Sequence, residues 1–284
     1  MKFLISNDDG IHAPGLLALY EALSEVGEVK VVAPNTEQSG TASALHITQP
    51  LYTHTLPSGF VAVNGTPADC VYLALHELYP DTAFDCIITG INSGENLGQN
   101  VLFSGTFGAA SIAHLFGIPA IATSLVGGAM HTHGQARIDL YQMAAAEVVK
   151  LMTQTSVLQE LQDLPYHVLN VNIPNVNKAK DIKGRRVTTL AYSKIAQPVH
   201  KIVDPRGRDA YWLSLRKRQH SQTMQGATDK VDASEQQQSI SASEAITSIM
   251  TDSQAVAAGF ISLSPVKLYH TPTATIDRLA ALND

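Results

Sequence analysis

Two carboxylates stand side by side near the start of the chain, Asp8 and Asp9, in the run Lys2-Phe3-Leu4-Ile5-Ser6-Asn7-Asp8-Asp9-Gly10. Adjacent carboxylates repel unless a cation lies between them, so the pair reads as half of a divalent-metal site. Two other polar turns offer matching groups. One is Gln38-Ser39-Gly40; the other holds Asn92 and Asn96 within Gly90-Ile91-Asn92-Ser93-Gly94-Glu95-Asn96-Leu97-Gly98. The three turns supply two carboxylates, a hydroxyl and an amide carbonyl, all hard oxygen donors without His or Cys. That set favours Mg²⁺, Mn²⁺ or Ca²⁺ over zinc or copper. Ser104-Gly105-Thr106 opens a segment of small residues with helical character. Free backbone N–H groups at a helix start, with two hydroxyls, can face a phosphate. A metal next to an anion site is the equipment of a metal-assisted phosphoester hydrolase. In that chemistry Asp8 takes the proton of the attacking water, and Asn96 donates to the charge that develops on the phosphoryl group. Attack by Asp8 itself as a nucleophile stays open on the sequence.

Other chemistries find less support. The glycines of residues 90–105 form neither a dinucleotide fingerprint nor a phosphate loop ending in Gly-Lys-Ser/Thr. No Gly-x-Ser-x-Gly elbow occurs. His12 lies near the carboxylates as a candidate substrate contact, His46 and His114 read as structural, and His131 and His133 as a solvated loop. Cys70 and Cys86 sit in apolar stretches with no zinc spacing, as buried free thiols in a reducing compartment. The formal charge of −6 over 284 residues lacks the basic footprint of a nucleic-acid partner, and Arg216-Lys217-Arg218 is too short to make one. No signal peptide is evident, and the stretch from Ile112 to Met130 is too broken by His114, Pro119 and glycines to span a membrane. These points lead to the expectation of a cytoplasmic protein.

The carboxylates must be held by regular elements. Phe3 to Ile5 reads as a buried strand, Gly15 to Val26 as a helix, and Lys30 to Ala33 as a second strand closed by Pro34. This β-α-β alternation predicts an α/β fold with a mostly parallel sheet, whose strands present their carboxyl ends on one edge. Phe60 to Val63 follows as a strand. Thr66-Pro67-Ala68-Asp69 caps a helix that ends before Pro80. Strands are expected at Asp85–Thr89, Pro119–Ser124 and His167–Ile173, and helices at Phe107–Phe116 and Gln135–Thr153. Residues 1–180 form the expected catalytic core and 181–284 a C-terminal extension. In the extension, Arg186–Tyr192 and Ala210–Leu215 read as strands that could pair as one long hairpin. The Gln/Ser-rich residues 217–245 read as a mobile insertion. Thr251–Ala258 reads as a short capped helix, Phe260–Leu263 as a strand, and the last dozen residues as a terminal helix.

The motifs taken together resemble the SurE (survival protein E) family of metal-dependent nucleotidases. Matching pieces run in order: Asn7-Asp8-Asp9-Gly10 with Ala13-Pro14-Gly15; Val32-Ala33-Pro34 with Gln38-Ser39-Gly40; Gly65-Thr66-Pro67-Ala68-Asp69-Cys70; the Gly90–Gly98 run with Ser104-Gly105-Thr106; Asp204-Pro205-Arg206-Gly207 before Tyr211-Trp212; and Thr251-Asp252 before Ala255-Val256. The resemblance implies a Rossmann-like three-layer core with a β-rich, swapped C-terminal arm, assembled as a homodimer or homotetramer. It implies hydrolysis of nucleoside 5′- and 3′-monophosphates, with exopolyphosphatase activity in some members, and one divalent cation per subunit. Asp8, Asp9, Ser39 and Asn92 match the family's metal ligands; Asn96, Ser104, Gly105 and Thr106 match its phosphate-binding positions. The chain departs from the family pattern at Asn100, usually an aspartate, and at Phe103, usually a tyrosine. The alternative reading is a non-catalytic nucleotide or metal–nucleotide sensor on the same fold. A haloacid-dehalogenase-type phosphatase would need Asp-x-Asp after the first strand, where this chain has Asn7-Asp8-Asp9.

Overall fold

Strand β1 (Lys2–Ser6) has Phe3, Leu4 and Ile5 in sequence because both of its faces are covered. Phe3 and Ile5 pack into one apolar layer with the helices α1 (Pro14–Ser24) and α4 (Gln135–Gln154). Leu4 packs into the opposite layer with α2 (Pro67–Leu73) and α3 (Gly105–Leu115). The result is a three-layer α/β core in a computed structural model that describes residues 1–128, 134–164, 166–176, 178–192, 199–213 and 249–268. Among them, no helix is long and apolar enough to cross a membrane.

The other strands of the main sheet are β2 (Glu28–Pro34), β3 (Thr53–Thr55), β4 (Val61–Val63), β5 (Cys86–Ser93), β6 (Ala120–Leu125), β7 (His167–Ile173), β8 (Arg185–Val187) and β11 (Ile261–Lys267). They lie in the order β3-β4-β2-β1-β5-β6-β7-β11-β8. From β4 through β7 all neighbours are parallel; β3 on β4 and β11 on β7 are antiparallel. The chain winds outward from β1 to β4, then crosses back to lay β5 on the other side of β1. This reversal puts the switch in strand order at the carboxyl ends of β1 and β5, the position where open α/β sheets take ligands.

The C-terminal region departs from expectation. Among the described residues Arg185–Val187 does not pair with the expected strand from Ala210 but lies parallel to Ile261–Leu263 in the main sheet. The hairpin is instead β9 (Val199–Val203) with β10 (Asp209–Leu213), which together form a separate two-stranded sheet. Its turn explains the choice. Asp204 Oδ1 accepts from the N–H groups of Arg206 and Arg208 at 2.8 and 2.9 Å, and Gly207 takes φ +79°. A strand pattern alone does not select its partner. One compact unit runs from Met1 to Ala191 and takes up the chain again at Met250; Tyr192–Ile249 form a second unit. The α6 helix (Asp252–Ala257) is capped by Thr251, whose hydroxyl accepts from the Gln254 N–H, and leads into β11. A short helix α5 (Val157–Asp163) had no anticipated counterpart. Residues 217–245, the chain end, His131 and His133 lie outside the described residues.

The capping box at α2 joins this core to the loop that carries Ala44 and His46. Asp69 accepts from the N–H groups of Thr66 at 2.8 Å and His46 at 2.9 Å, and its Oδ2 lies 2.6 Å from His46 Nδ1. Burial pushes the Asp69 carboxyl up, but the His46 and Thr66 hydrogen bonds outweigh it and hold the group below its ordinary value. Such a group stabilises the fold above its unfolded pKa, and the contribution is lost as pH falls through the folded value. Asp69→Ala is therefore expected to cost about 2–3 kcal/mol at pH 7, as a lost cap with a stranded partner. Urea unfolding at pH 7 and again below pH 4 checks this: the gap between wild type and variant should narrow in acid.

Candidate active site at the carboxyl ends of the central strands

The turn after β1 is built by its own short polar residues. Asn7 Nδ2 donates to the Gly10 carbonyl at 2.9 Å, and Gly10 takes φ +99°. The Ile11 N–H donates to the Pro34 carbonyl at 2.8 Å, which ties the turn to the exit of β2. Asp8 is thereby buried, and Asp9 is half-buried beside it.

Each carboxylate is gripped by a different segment. The Thr106 hydroxyl donates to Asp8 Oδ1 in a short hydrogen bond, and the Ser93 N–H donates to Asp9 Oδ2 at 2.9 Å. The Gln38 N–H donates to the Asp8 carbonyl at 2.7 Å. Burial raises the Asp8 carboxyl above its ordinary value, against the pull of the Thr106 hydroxyl. Asp9 is raised to about 6, first by burial and then by the charge of Asp8, with the Ser93 N–H opposing. Two neighbouring acids that are both raised form a charge cluster whose ionisation the fold disfavours and a cation relieves. That electrostatic state, with hard oxygen donors around it, fits a divalent cation.

The remaining expected groups fall around this pair. Asn92 lies at the end of β5, next to the residue that binds Asp9, and its Nδ2 donates to the Gly94 carbonyl at 3.0 Å. The nitrogen end of that amide is thus engaged, which leaves its oxygen for a ligand. Ser39 is exposed, and its hydroxyl donates to Glu37 Oε1 at 2.9 Å rather than to either aspartate. Its loop reaches the site through Gln38. Among the described residues no group of three or more His, Cys, Asp or Glu side chains comes together as a metal site. A cation here would depend on neutral oxygen donors beside Asp8 and Asp9.

The start of α3 is pressed against Asp8. Ser104 Oγ accepts from the Phe107 N–H at 3.0 Å as the helix cap. A Cβ on Gly105 would stand 2.9 Å from Asp8 Cβ and 3.0 Å from Thr41 Oγ1, so only glycine fits there without displacement. Thr106 is anchored from behind: the Thr89 hydroxyl donates to its carbonyl at 2.7 Å, and the Thr123 hydroxyl to the Thr89 carbonyl at 2.8 Å. Its hydroxyl and its backbone N–H both serve Asp8. Asn96 is buried, and its Nδ2 donates to Ser124 Oγ at 2.8 Å.

Two contributors lacked a motif. Glu37 raises both aspartates through its charge, and Arg137 of α4 lowers Asp9. Glu37 stands two residues before Ser39 in an already suspect loop, which was the available signal. Arg137 comes from a distant helix, and nothing local marks it. His12 is exposed. His46 belongs to the Asp69 cap, and the ring of His114 packs 5.2 Å from that of Tyr166. Both cysteines are free and buried, with burial pushing their thiols up.

A family model described as Survival protein SurE matches residues 3–197. The chain is 66% identical, over 99% of both sequences, to a protein of Psychrobacter cryohalolentis named 5′-nucleotidase SurE. It is 40% identical, again over 99% of both, to one of the same name from Acinetobacter baumannii. Among solved structures, the SurE protein of Aquifex aeolicus matches with a TM-score of 0.74 and 32% identity, covering 100% of each chain.

The raised Asp9 has a measurable consequence. Between the ordinary value of 3.8 and about 6, the folded metal-free chain holds a proton that the unfolded chain does not. Its stability therefore rises as pH falls through that window. Asp9→Asn removes the charge while keeping an acceptor for Ser93. The variant should be about 1–3 kcal/mol more stable than wild type at pH 8 in EDTA, and this gain should vanish near pH 4. Thermal unfolding at the two pH values reads it out; a variant less stable than wild type at pH 8 would contradict the assignment of the strain to this charge.

Proposed function

The chain belongs to the SurE family, and on that premise we propose that it is a nucleotidase that hydrolyses nucleoside 5′- and 3′-monophosphates with a divalent cation, Mg²⁺ or Mn²⁺, one per subunit. Polyphosphate ends are a further substrate class in this reading, and the working form is a cytoplasmic homodimer or homotetramer. The observation that carries it is the contact between Asp8 and Thr106, with Gly105 packed against the same carboxylate. It supports a reaction in which the phosphate and the acid that serves it are neighbours.

In this mechanism the phosphoryl group lies over the start of α3, where the helix dipole favours negative charge. Asn96, fixed by Ser124, donates to the phosphoryl oxygen as charge develops. Asp8 accepts the proton of the attacking water. The Thr106 hydroxyl holds its carboxylate in place for this role. Asp8, Asp9, Asn92 and, after a turn of its hydroxyl away from Glu37, Ser39 would hold the cation. When bound, the cation supplies Lewis-acid polarisation of the phosphoryl group and neutralises the two carboxylates. A cluster of about zero net charge admits a phosphate dianion more readily than a cage with several more acids.

Hydrolysis of a panel of nucleoside monophosphates, polyphosphate and a chromogenic phosphate ester, with Mn²⁺, with Mg²⁺ and in EDTA, tests the proposal. Turnover should require metal. Asp8→Asn should lower kcat by about 10²–10⁴-fold without lowering thermal stability in EDTA. Near-normal metal-dependent turnover in Asp8→Asn would falsify its role. Absence of turnover with either metal in folded wild-type protein would favour the sensor reading.

A further inference from the structure

Asn96 and Leu97 are buried outside any helix or strand, and buried Gly98 opens a short 3-10 helix over Gly98–Phe103. Buried backbone outside regular structure must find partners for its N–H and C=O groups, and here side chains supply them. The amide of Asn172 on β7 makes two bonds to Asn96: its Oδ1 accepts from the Asn96 N–H at 2.9 Å, and its Nδ2 donates to the Asn96 carbonyl at 3.1 Å. Asn170 Nδ2 donates to the same carbonyl at 2.8 Å. One side chain thus does for Asn96 what a neighbouring strand would do. Asp252, the first residue of α6, grips the other end of the segment. Its Oδ2 accepts from the Gly98 N–H at 2.6 Å, and its Oδ1 from the Ala191 and Ser253 N–H groups at 2.9 and 2.7 Å. Gly98 takes φ +58°, and a Cβ there would stand 2.3 Å from the Ala191 carbonyl oxygen, so the two backbones touch.

These are costly choices for stability alone. Asn170, Asn172 and Asp252 are fully buried. A buried amide or carboxylate is costly unless all its bonds are made, and Asn is a poor strand former. After His167, the other residues of the same strand, Val168, Leu169, Val171 and Ile173, are apolar and buried. The polar positions form a row along the sheet's carboxyl edge: Asn92 is in register with Ser124, Ser124 with Asn172, and Asn172 with Ser262. Asn96 lies on this row through Ser124 as well as Asn172.

We infer that Asn172 and Asp252 are positioning residues that clamp the 96–98 segment so that the Asn96 side chain is aimed at the phosphoryl group. Its catalytic consequence rests on the nucleotidase reading; the clamp rests on the contacts. The segment that rejoins the core at Met250 is then required for turnover although it touches no substrate.

A double-mutant cycle tests this in the full-length protein. Asn172→Ser and Asp252→Asn should each lower kcat by about 10–100-fold, with the half-activating Mn²⁺ concentration within about twofold of wild type, because Asp8 and Asp9 lie outside the clamp. In an Asn96→Ala background neither change should lower kcat further. Hydrogen exchange of the 94–98 segment should speed up in both variants. Losses that multiply in the Asn96→Ala background, an unchanged kcat, or unchanged exchange would overturn the inference. If Asp252→Asn fails to fold, Asn172→Ser carries the cycle alone. If wild type hydrolyses no phosphomonoester, the nucleotidase reading fails. The same cycle is then read from the affinity for inorganic phosphate with Mn²⁺ present, where the same loss of effect in the Asn96→Ala background supports the clamp and independent losses overturn it.

Discussion

Two like charges held next to each other at the buried end of a central strand are the constraint around which this protein is arranged. Water would solvate Asp8 and Asp9 and weaken their repulsion. The fold removes much of that water and leaves both acids raised. Such an arrangement persists only if the surroundings over-determine it. Here they do: the Thr106 hydroxyl, the Ser93 N–H and the Gln38 N–H come from three separate segments. The folded protein thus carries an electrostatic cost that ligand binding can relieve, a common feature of functional sites.

The topology explains why those segments meet. Parallel strands leave the sheet on one edge, so the turns after β1, β2 and β5 are neighbours without being adjacent in sequence. The reversal of strand order falls between β1 and β5, so the connections that leave them turn to opposite sides. The helix after β5 then starts against the carboxylates, where glycine at position 105 permits contact at the distance of a missing Cβ. Gly15 permits a like approach: an added Cβ would stand 2.0 Å from the Ile91 carbonyl oxygen and force α1 away from β5.

The far side of the sheet has a second role. β11 and β8 extend the sheet beyond the parallel strands and bury a group of hydroxyls: Thr188 lies 2.8 Å from both Ser262 and Ser264. With Asn170, Asn172 and Asp252 they make this part of the interior polar rather than apolar. An interior of this kind is held by directed bonds, and it tolerates fewer alternative packings than an apolar one. It is a suitable support for a loop whose side chain must point in one direction.

Much of this was legible locally. The apolar run before Asp8, the caps at Thr66, Ser104 and Thr251, and the polar turns after each strand follow from residue type and spacing, because helix ends, turns and strand faces are set by neighbours a few residues away. Within the core most elements were legible to within a few residues, while the pairing of Arg185–Val187 was not. The departures at Asn100 and Phe103 have no effect that these contacts explain. What the sequence by itself determined was which groups stand at the ends of the strands. Only the tertiary structure decided that the Thr106 hydroxyl serves Asp8, that Ser39 turns to Glu37, and that Asn172 and Asp252 hold the Asn96 loop. Those contacts span 98, 76 and 154 residues for Asp8–Thr106, Asn96–Asn172 and Gly98–Asp252. They depend on burial and backbone approach, which exist only once the layers have packed.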